Sequence, residues 1–486
     1  MLSESEIKYF MQEDQTSLQK RLAKVGNSYY EGEHDILNYR MFYFNADGVL
    51  VEDKTRSNIK ISHPFFTELV DQAVQYMLSS KETFIRSDLP DLQERLDEYF
   101  DEEFVAELME VLTGTMSCGW SYMYAFKGED DRLHFEHADC LNVVEIREKE
   151  TDDGCAYVIY WYVDRIAKSN QTIKRIQVWD KQQTTFYVMG SDGKLVRDES
   201  EKINPRPHVI YRKDDSGTVY YENFGFIPFF RLDNNRKQIS GIKPIKDLID
   251  DYDMMSCGLS NNLADFDHPI HVVKGFQGDN LEELAVNLKT KKMIGVDATG
   301  GLEVHTVEIP YQARQSKMQE DEKNIYRFGM GFNSAQLGDG NITNVVIKSR
   351  YALLDLKCNK LEIRLKRFLK QILKVVLQEI NTVDGTDYQT KDVYFDFQRE
   401  IMTNASDNAQ IELTDAQKQQ VVVNTLLGLQ GVLDDETIVQ SICEILEIDY
   451  EEIKNKLPDP AEAQTDLKDA QDDLDQVVPD EGGESA

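Results

Sequence analysis

Between Gly241 and Ile380 the chain spells two helices around a compact excursion, then a glycine-rich break, then a third helix of unusual length. The first helix, Gly241 to about Phe266, places Ile242, Ile245, Ile249, Tyr252, Met255, Leu259, Leu263 and Phe266 in steps of three and four, which makes one apolar stripe. Its acids Asp247, Asp250, Asp251 and Asp253 fall mostly off that stripe, so they are expected to face water or a polar lumen. Tyr311 to about Gly329 reads as the returning helix. Val345 to about Ile380 reads as the long one, roughly 54 Å at 1.5 Å per residue. An enzyme core seldom sends out two helices to carry a small tip. A channel-forming or ring-forming protein does.

Charge sharpens that contrast. The 486 residues carry a formal net charge of −34, which gives poor non-specific affinity for nucleic acid because counterion release needs clustered cations. Such a chain does not grip DNA, but it can let DNA pass. The long helix is the exception, with Lys348, Arg350, Lys357, Lys360, Arg364, Lys366, Arg367, Lys370 and Lys374 against Asp355, Glu362 and Glu379. This basic strip either pairs with acids, within the chain or across a subunit interface, or lies near phosphates. Leu353, Leu354, Leu361, Leu365, Phe368, Ile372, Leu373 and Val376 are expected to supply its buried side.

The rest of the chain reads as α+β. Residues 1–30 are expected to form one helix on Ile7, Phe10, Met11, Leu18, Leu22 and Val25. Helices follow over the run from Pro64 and over Leu92–Leu112. From Gly114 to about Phe230 the period changes to two, with strands in Trp120–Phe126, Ala156–Val163, Lys174–Trp179 and Thr185–Met189. The excursion 267–310 reads as a small αβ tip, with a strand at His268–Lys274, a short helix at Asn280–Leu288, and strands Lys291–Val296 and Leu302–Ile309 paired through a turn. His268, His271 and His305 fall in that tip. A strand at Asp392–Phe397 precedes two helices, from Thr414 and from Asp435. Residues 458–486, with ten acids and one Lys, are expected to be a disordered tail. An apolar fraction of 41% supplies ample core, no apolar run reaches the length of a membrane span, and the six scattered cysteines predict reduced thiols of a cytosolic compartment.

Catalytic signatures do not emerge. There is no GxxxxGK[ST], HExxH or GxSxG, and the glycine pairs Gly329/Gly331 and Gly338/Gly340 lack the preceding strand of a dinucleotide fingerprint. Beside the turn at Gly32, His34-Asp35 could be read as an acid–base pair, but adjacent residues diverge and no partner is in sight. The cluster His134, Glu136, His137, Asp139 and Cys140 splits across two strand faces, and no second cluster completes a coordination sphere.

Three stretches taken together resemble the portal, or head-to-tail connector, proteins of tailed bacteriophages, in the branch typified by long-tailed phages of Gram-positive hosts. They are Tyr29–Leu37, Asn58-Ile-Lys-Ile with the helix Val70–Met77, and Gly225–Asn235 running into Ile242–Tyr252. The resemblance implies a ring of about twelve subunits at one capsid vertex, with an α/β wing (1–240), a two-helix stem (241–266 and 311–330), a clip (267–310) and a tunnel loop (331–344). It also implies a long support helix with a return strand (345–399) and a helical crown (400–457). The loop's Asn333, Ser334, Gln336, Asn341 and Asn344 would lie nearest the DNA. The clip, with Lys274, Lys289, Lys291 and Lys292, would face the terminase large subunit and later a head-completion adaptor. Lys348, Arg350, Lys366, Arg367 and Lys370 would form an interface or DNA-facing strip. Major capsid and scaffolding proteins are further implied partners, with double-stranded DNA passing through without sequence recognition. Location is the virion, and the host cytoplasm during assembly, with no cofactor, metal or membrane. Two rival classes stay open on sequence: another ring-forming tail or baseplate component, and a nucleic-acid-processing enzyme built on 114–230.

Overall fold

Ser17 divides the first thirty residues into two helices, because its ψ of 152° leaves the helical region and its hydroxyl accepts the Lys20 N–H as a cap. In this computed structural model of the protein, residues 2–54, 56–79, 83–128, 132–149, 154–166, 171–190, 192–213, 218–266, 270–274, 299–305, 309–333, 344–399, 405–429, 435–445 and 450 are described. Helix α1 (Glu4–Thr16) turns Ile7 and Met11 onto a sheet, as its spacing predicts. Helix α2 (Leu18–Tyr30) does not follow its apolar stripe. It buries Lys20, Ala23, Gly26 and Tyr29, and leaves Leu18, Leu22 and Val25 exposed. The reason is close packing: a Cβ on Gly26 would lie 1.9 Å from the Ser117 carbonyl oxygen, so the small face is the one that fits.

A hairpin of β1 (Phe42–Phe44) and β2 (Leu50–Glu52), which periodicity does not announce, precedes α3 (Phe65–Met77). Strand β3 (Ile85–Ser87) leads to α4 (Pro90–Tyr99) and α5 (Glu102–Cys118). The single helix expected over 92–112 is therefore two, with the Asp101 side chain capping the Phe104 N–H. Gly119, at φ +107°, ends α5 in the left-handed conformation that glycine accepts freely.

The period-two region forms the strands it predicts. Strands β4 (Trp120–Lys127) and β5 (Leu133–Ala138) pair as a hairpin, followed by β6 (Val143–Ile146), β7 (Tyr157–Ile166), β8 (Gln171–Trp179), β9 (Gln183–Met189) and β10 (Leu195–Arg197). After β11 (Arg206–Pro207), β12 (Val209–Lys213) and β13 (Thr218–Glu222) comes β14 (Phe229–Asp233), which returns to β4. One sheet runs β10-β9-β8-β7-β6 with β11 on β9, a second runs β14-β4-β5, and β12 pairs with β13. All these pairings are antiparallel.

Helix α6 (Lys246–Phe266) starts five residues later than the expected Gly241, since 241–245 form turns. In the excursion, β15 (Ile270–Lys274) pairs with β16 (Gly301–His305), so the 302 strand takes its partner from the outgoing arm. Residues 280–288 and 291–296, expected as helix and strand, lie outside the described residues. Helix α7 (Tyr311–Gly329) returns along α6, and α8 (Asn344–Asp384) runs for 41 residues. Strand β17 (Val393–Phe395) pairs with β3.

The main core gathers α3, α5, β4, β14 and α8, with Phe66, Leu69, Leu108, Leu112, Met123, Phe368 and Ile372 among its buried residues. Leu353, expected inside, is 41% exposed. All of this belongs to a unit made of 1–340 and 348–401. A second unit holds 341–347 and 402–486. Within it, α9 (Ala405–Leu427), which begins nine residues before Thr414, packs against α10 (Asp435–Ile445). The expected tail 458–486 lies outside the described residues. No described helix is long and apolar enough to cross a membrane.

Candidate functional site

The segment Ser57–His63 lies along α6 and is sewn to it by a match of periods. The backbone N–H groups of Ser57, Ile59, Ile61 and His63 donate to Asp265 Oδ1 (3.0 Å), Asn261 Oδ1 (2.6 Å), Cys257 Sγ (3.2 Å) and Asp253 Oδ1 (3.0 Å). Every second amide therefore meets every fourth helical side chain. The polar residues of this helix face serve as acceptors for a strap, rather than as charges in a lumen.

Asp253 is the clearest departure from expectation. Predicted to lie next to water, it is fully buried. Its two oxygens accept from His34 Nδ1 and His63 Nδ1, each at 2.7 Å. Burial disfavours the carboxylate, but the hydrogen bonds from the two histidines outweigh it and hold the pKa below the ordinary aspartate value. His34 thus has a partner after all, 219 residues away in the chain. Its ring stacks on Tyr29 with centroids 4.5 Å apart, and the Tyr29 hydroxyl donates to Asp250. Burial, together with that bond, raises the Tyr29 pKa. Lys246 reaches Asp35 at 2.6 Å and Asp250 at 2.7 Å. Burial opposes its charge, but those bonds prevail and raise its pKa above the ordinary lysine value.

The remaining acids of α6 differ in the same direction. Asp251 pairs with Lys317 of α7 at 2.5 Å, and Lys317 also holds buried Asp321. Only Asp247 among the four is exposed and without a salt bridge in the described residues. At Gly258 the helices come close, since a Cβ would stand 2.2 Å from Arg314 Nη1. An edge-on aromatic ladder, His63–Tyr252–Phe65–Tyr326, binds α3, α6 and α7 into one block.

Past α7 the chain enters the expected loop, whose first residues are clamped. Gln72 of α3 donates to the Phe332 carbonyl (2.8 Å) and accepts its N–H (3.0 Å). Phe332 stacks on Tyr351 of α8 at 4.8 Å. Lys357 Nζ donates to the Gly329 and Leu69 carbonyl oxygens at 3.2 and 3.4 Å, and burial lowers its pKa to about 8. The left-handed residue that ends α7 is Met330, at φ +56°. The neighbouring glycines serve another need: a Cβ on Gly331 would lie 2.0 Å from Leu69 Cδ2. Asn333 donates to Glu322 at 2.8 Å, and Asn344 begins α8. Ser334, Gln336 and Asn341 lie outside the described residues.

On α8 the cations divide. Lys366 pairs with Glu362 at 2.8 Å, while Arg399 takes Asp355 at 2.7 Å and also Glu362. Arg350 is half-buried, and Lys348, Arg367 and Lys370 are exposed. In the excursion Lys274 pairs with Glu303 across β15–β16, and Lys289, Lys291 and Lys292 lie outside the described residues. The expected tip histidines fall on these strands only in part: Ile270 registers with His305 and Val304 with His271, and His268 is not described.

The β5 cluster takes structural partners. His137 Nε2 meets Ser121 Oγ at 2.8 Å and Glu136 accepts from Tyr124. Asp139 and Cys140 approach Cys118, with donor atoms within 4.8 Å of one another. Its hydrogen bond with Cys118, together with burial, raises the Cys140 pKa well above the ordinary thiol value. Sequence reasoning passed over His63, Gln72 and Arg399, and named Tyr29, His34 and Lys357 without the partners they take. The available signal was the period-two run Ser57–His63, whose odd positions all face one helix.

Known proteins resemble this chain in sequence. The sequence is 26% identical over 465 residues to the portal protein of Bacillus phage SPP1, covering 94% of this chain and 88% of that one. It is 24% identical over 407 residues to the portal protein of Clostridium phage phiCD119, covering 78% and 85%. A chain in the neck of a native GTA particle, computed with C12 symmetry, aligns with a TM-score of 0.36 at 10% identity over 78% of this chain and 89% of that one. The family described as phage portal protein, SPP1 Gp6-like, matches residues 12–455, and the chain belongs to that family.

Proposed function

We propose that copies of this chain assemble into a ring of about twelve subunits at one capsid vertex, through which double-stranded DNA enters during packaging and leaves on ejection. In this reading α6 and α7 are the stem, 267–310 the clip that meets the terminase large subunit and later a head-completion adaptor, and 331–344 the tunnel loop. Residues 1–240 form the wing, 345–399 the support helix and its return strand, and 400–457 the crown. Major capsid and scaffolding proteins surround the ring in the virion, and assembly takes place in the host cytoplasm. The protein acts as a conduit and not as a catalyst.

The observation that carries this reading is the two-helix unit α6–α7 returning to a loop whose root is clamped between α3 and α8, in a chain matched to the portal family over 12–455. Asp250, Asp251 and Asp253 drop out as lumen charges because they are neutralised within the subunit. Repulsion of DNA falls instead to the summed negative field and to exposed Asp247. Asn333, bonded to Glu322, and Asn344, the first residue of α8, stand at the two ends of the loop, with Ser334, Gln336 and Asn341 between them in sequence.

Negative-stain microscopy of the purified protein tests the assembly. A ring with a central hole is expected, and compact monomers under assembly conditions overturn it. Deleting residues 334–341 should abolish DNA packaging or retention while rings still form. Normal packaging by that deletion removes the loop from the mechanism.

A further inference from the structure

The outward face of α8 carries an exposed row of apolar and basic residues, of which Arg367 and Lys374 also border a cavity lined by Glu145 and Asp233. Leu356, Lys360, Ile363, Arg367, Lys370 and Lys374 recur at steps of three and four, opposite the buried row Leu354, Cys358, Leu361, Leu365, Phe368 and Ile372. Ile363 is 71% exposed and Leu356 59%. Among the described residues, Lys360, Arg367, Lys370 and Lys374 have no ion-pair partner, unlike Lys366. In a chain of net charge −34, an apolar ridge flanked by unpaired cations is an unpartnered surface.

Its complement lies on the same chain. Beneath α4 and α5 is a cavity of about 500 Å³, floored by Met77, Phe84, Phe100, Val105 and Met109 and rimmed by Asp97, Asp101 and Glu102. Asp97, Asp101 and Glu102 are exposed and have no cation partner among the described residues. The groove and the ridge share no residue. A contact between two different patches of one chain runs head to tail, and such a contact closes into a ring when its rotation allows.

We propose that the α8 ridge of one copy seats across the acid-rimmed groove of the next. Ile363 enters the apolar floor, and Lys360, Arg367 and Lys370 meet Asp97, Glu102 and their acidic neighbours. This contact rests on the ring reading above and names the surfaces that build it. It has the apolar centre and charged rim of a protein interface. A phosphate backbone is the poorer occupant of the ridge, because a bare isoleucine in the middle of the cations has nothing to gain from phosphate.

The test is a charge swap in the full chain. K360E/R367E/K370E and D97K/E102K should each lower the ring fraction about tenfold at fixed concentration, with circular dichroism and melting of the monomer unchanged. A chain carrying both sets should form rings again. Asp101 is left intact because it caps α5. A second measurement does not depend on charge: Ile363→Cys with Met109→Cys should give cross-linked copies on mild oxidation, against a control with the native cysteines only. If the wild type forms rings and neither reversal affects them, or if no cross-link forms, the contact is wrong although the ring stands. If ridge reversal leaves rings intact but spoils DNA retention, the ridge faces DNA and the proposal fails. If the wild type forms no rings at all, the failure lies with the ring reading.

Discussion

Helices α6 and α8 look like opposites in sequence, one acidic and one basic, yet their difference in the folded chain lies elsewhere. The acids of α6 are mostly answered from within: Asp253 by two histidines, Asp250 by Tyr29 and Lys246, Asp251 by Lys317. The outward cations of α8 find no such partners among the described residues. A count of charges treats the two helices alike, whereas burial and partnership make one a structural joint and the other a surface in search of a partner.

The strongest way to break this contrast is Asp253→Ala. Removing the carboxylate strands two imidazole donors and a backbone amide in the interior, so stability should fall by about 3–5 kcal/mol, read by urea denaturation of the monomer. A loss of only a few tenths would show that Asp253 is a solvated charge after all. The pH profile gives the sign. Because the folded pKa of Asp253 is depressed, its stabilising contribution is complete above the unfolded value of about 4 and is lost as pH falls through the lower folded value. Asp253→Asn should remove that part of the acid slope.

Lys357 sharpens the comparison from the other helix, since it is the cation of α8 whose charge is disfavoured by its surroundings. With a folded pKa of about 8 against 10.5 unfolded, the unfolded chain holds the extra proton between those values, so wild-type stability rises with pH across that window. Lys357→Met should lack this rise, and the wild type should gain on it between pH 8 and 10 in parallel urea titrations. Parallel profiles would place Lys357 in solvent. The smallest effect is expected at the ridge. Lys370→Ala should change the stability of the dissociated monomer by less than about 0.5 kcal/mol, because a solvated, unpaired charge contributes nothing to the fold of its own subunit.

The three long helices of the organising stretch were legible because their apolar residues recur over many turns. So were β4, β7, β8, β9 and β17, where residues alternate. What stayed hidden depends on distant partners. No local pattern announces that Asp253 will meet histidines 190 and 219 residues away, or that a small-residue face of α2 will displace Leu18, Leu22 and Val25 from the core. The hairpin β1–β2 escaped because Phe42-Tyr43-Phe44 and Leu50-Val51 do not alternate apolar with polar. The glycines after α7 were legible as a break, but their purpose was misplaced. They make room for Leu69, and Met330 takes the positive φ.

The strap along α6 sets a length scale of its own. Two residues of extended chain advance about 6.6 Å, while four residues of helix advance about 6.0 Å. The mismatch of about 0.6 Å per repeat accumulates, so a straight strap slides out of step after a few rungs, and this one has four. Both ends of the run are therefore dictated by geometry as much as by sequence. The rungs span Asp253 to Asp265, the part of α6 next to the excursion. A force applied at the tip would pass through four rungs in parallel into the N-terminal region, and the α6–α7 pair would not bear it alone.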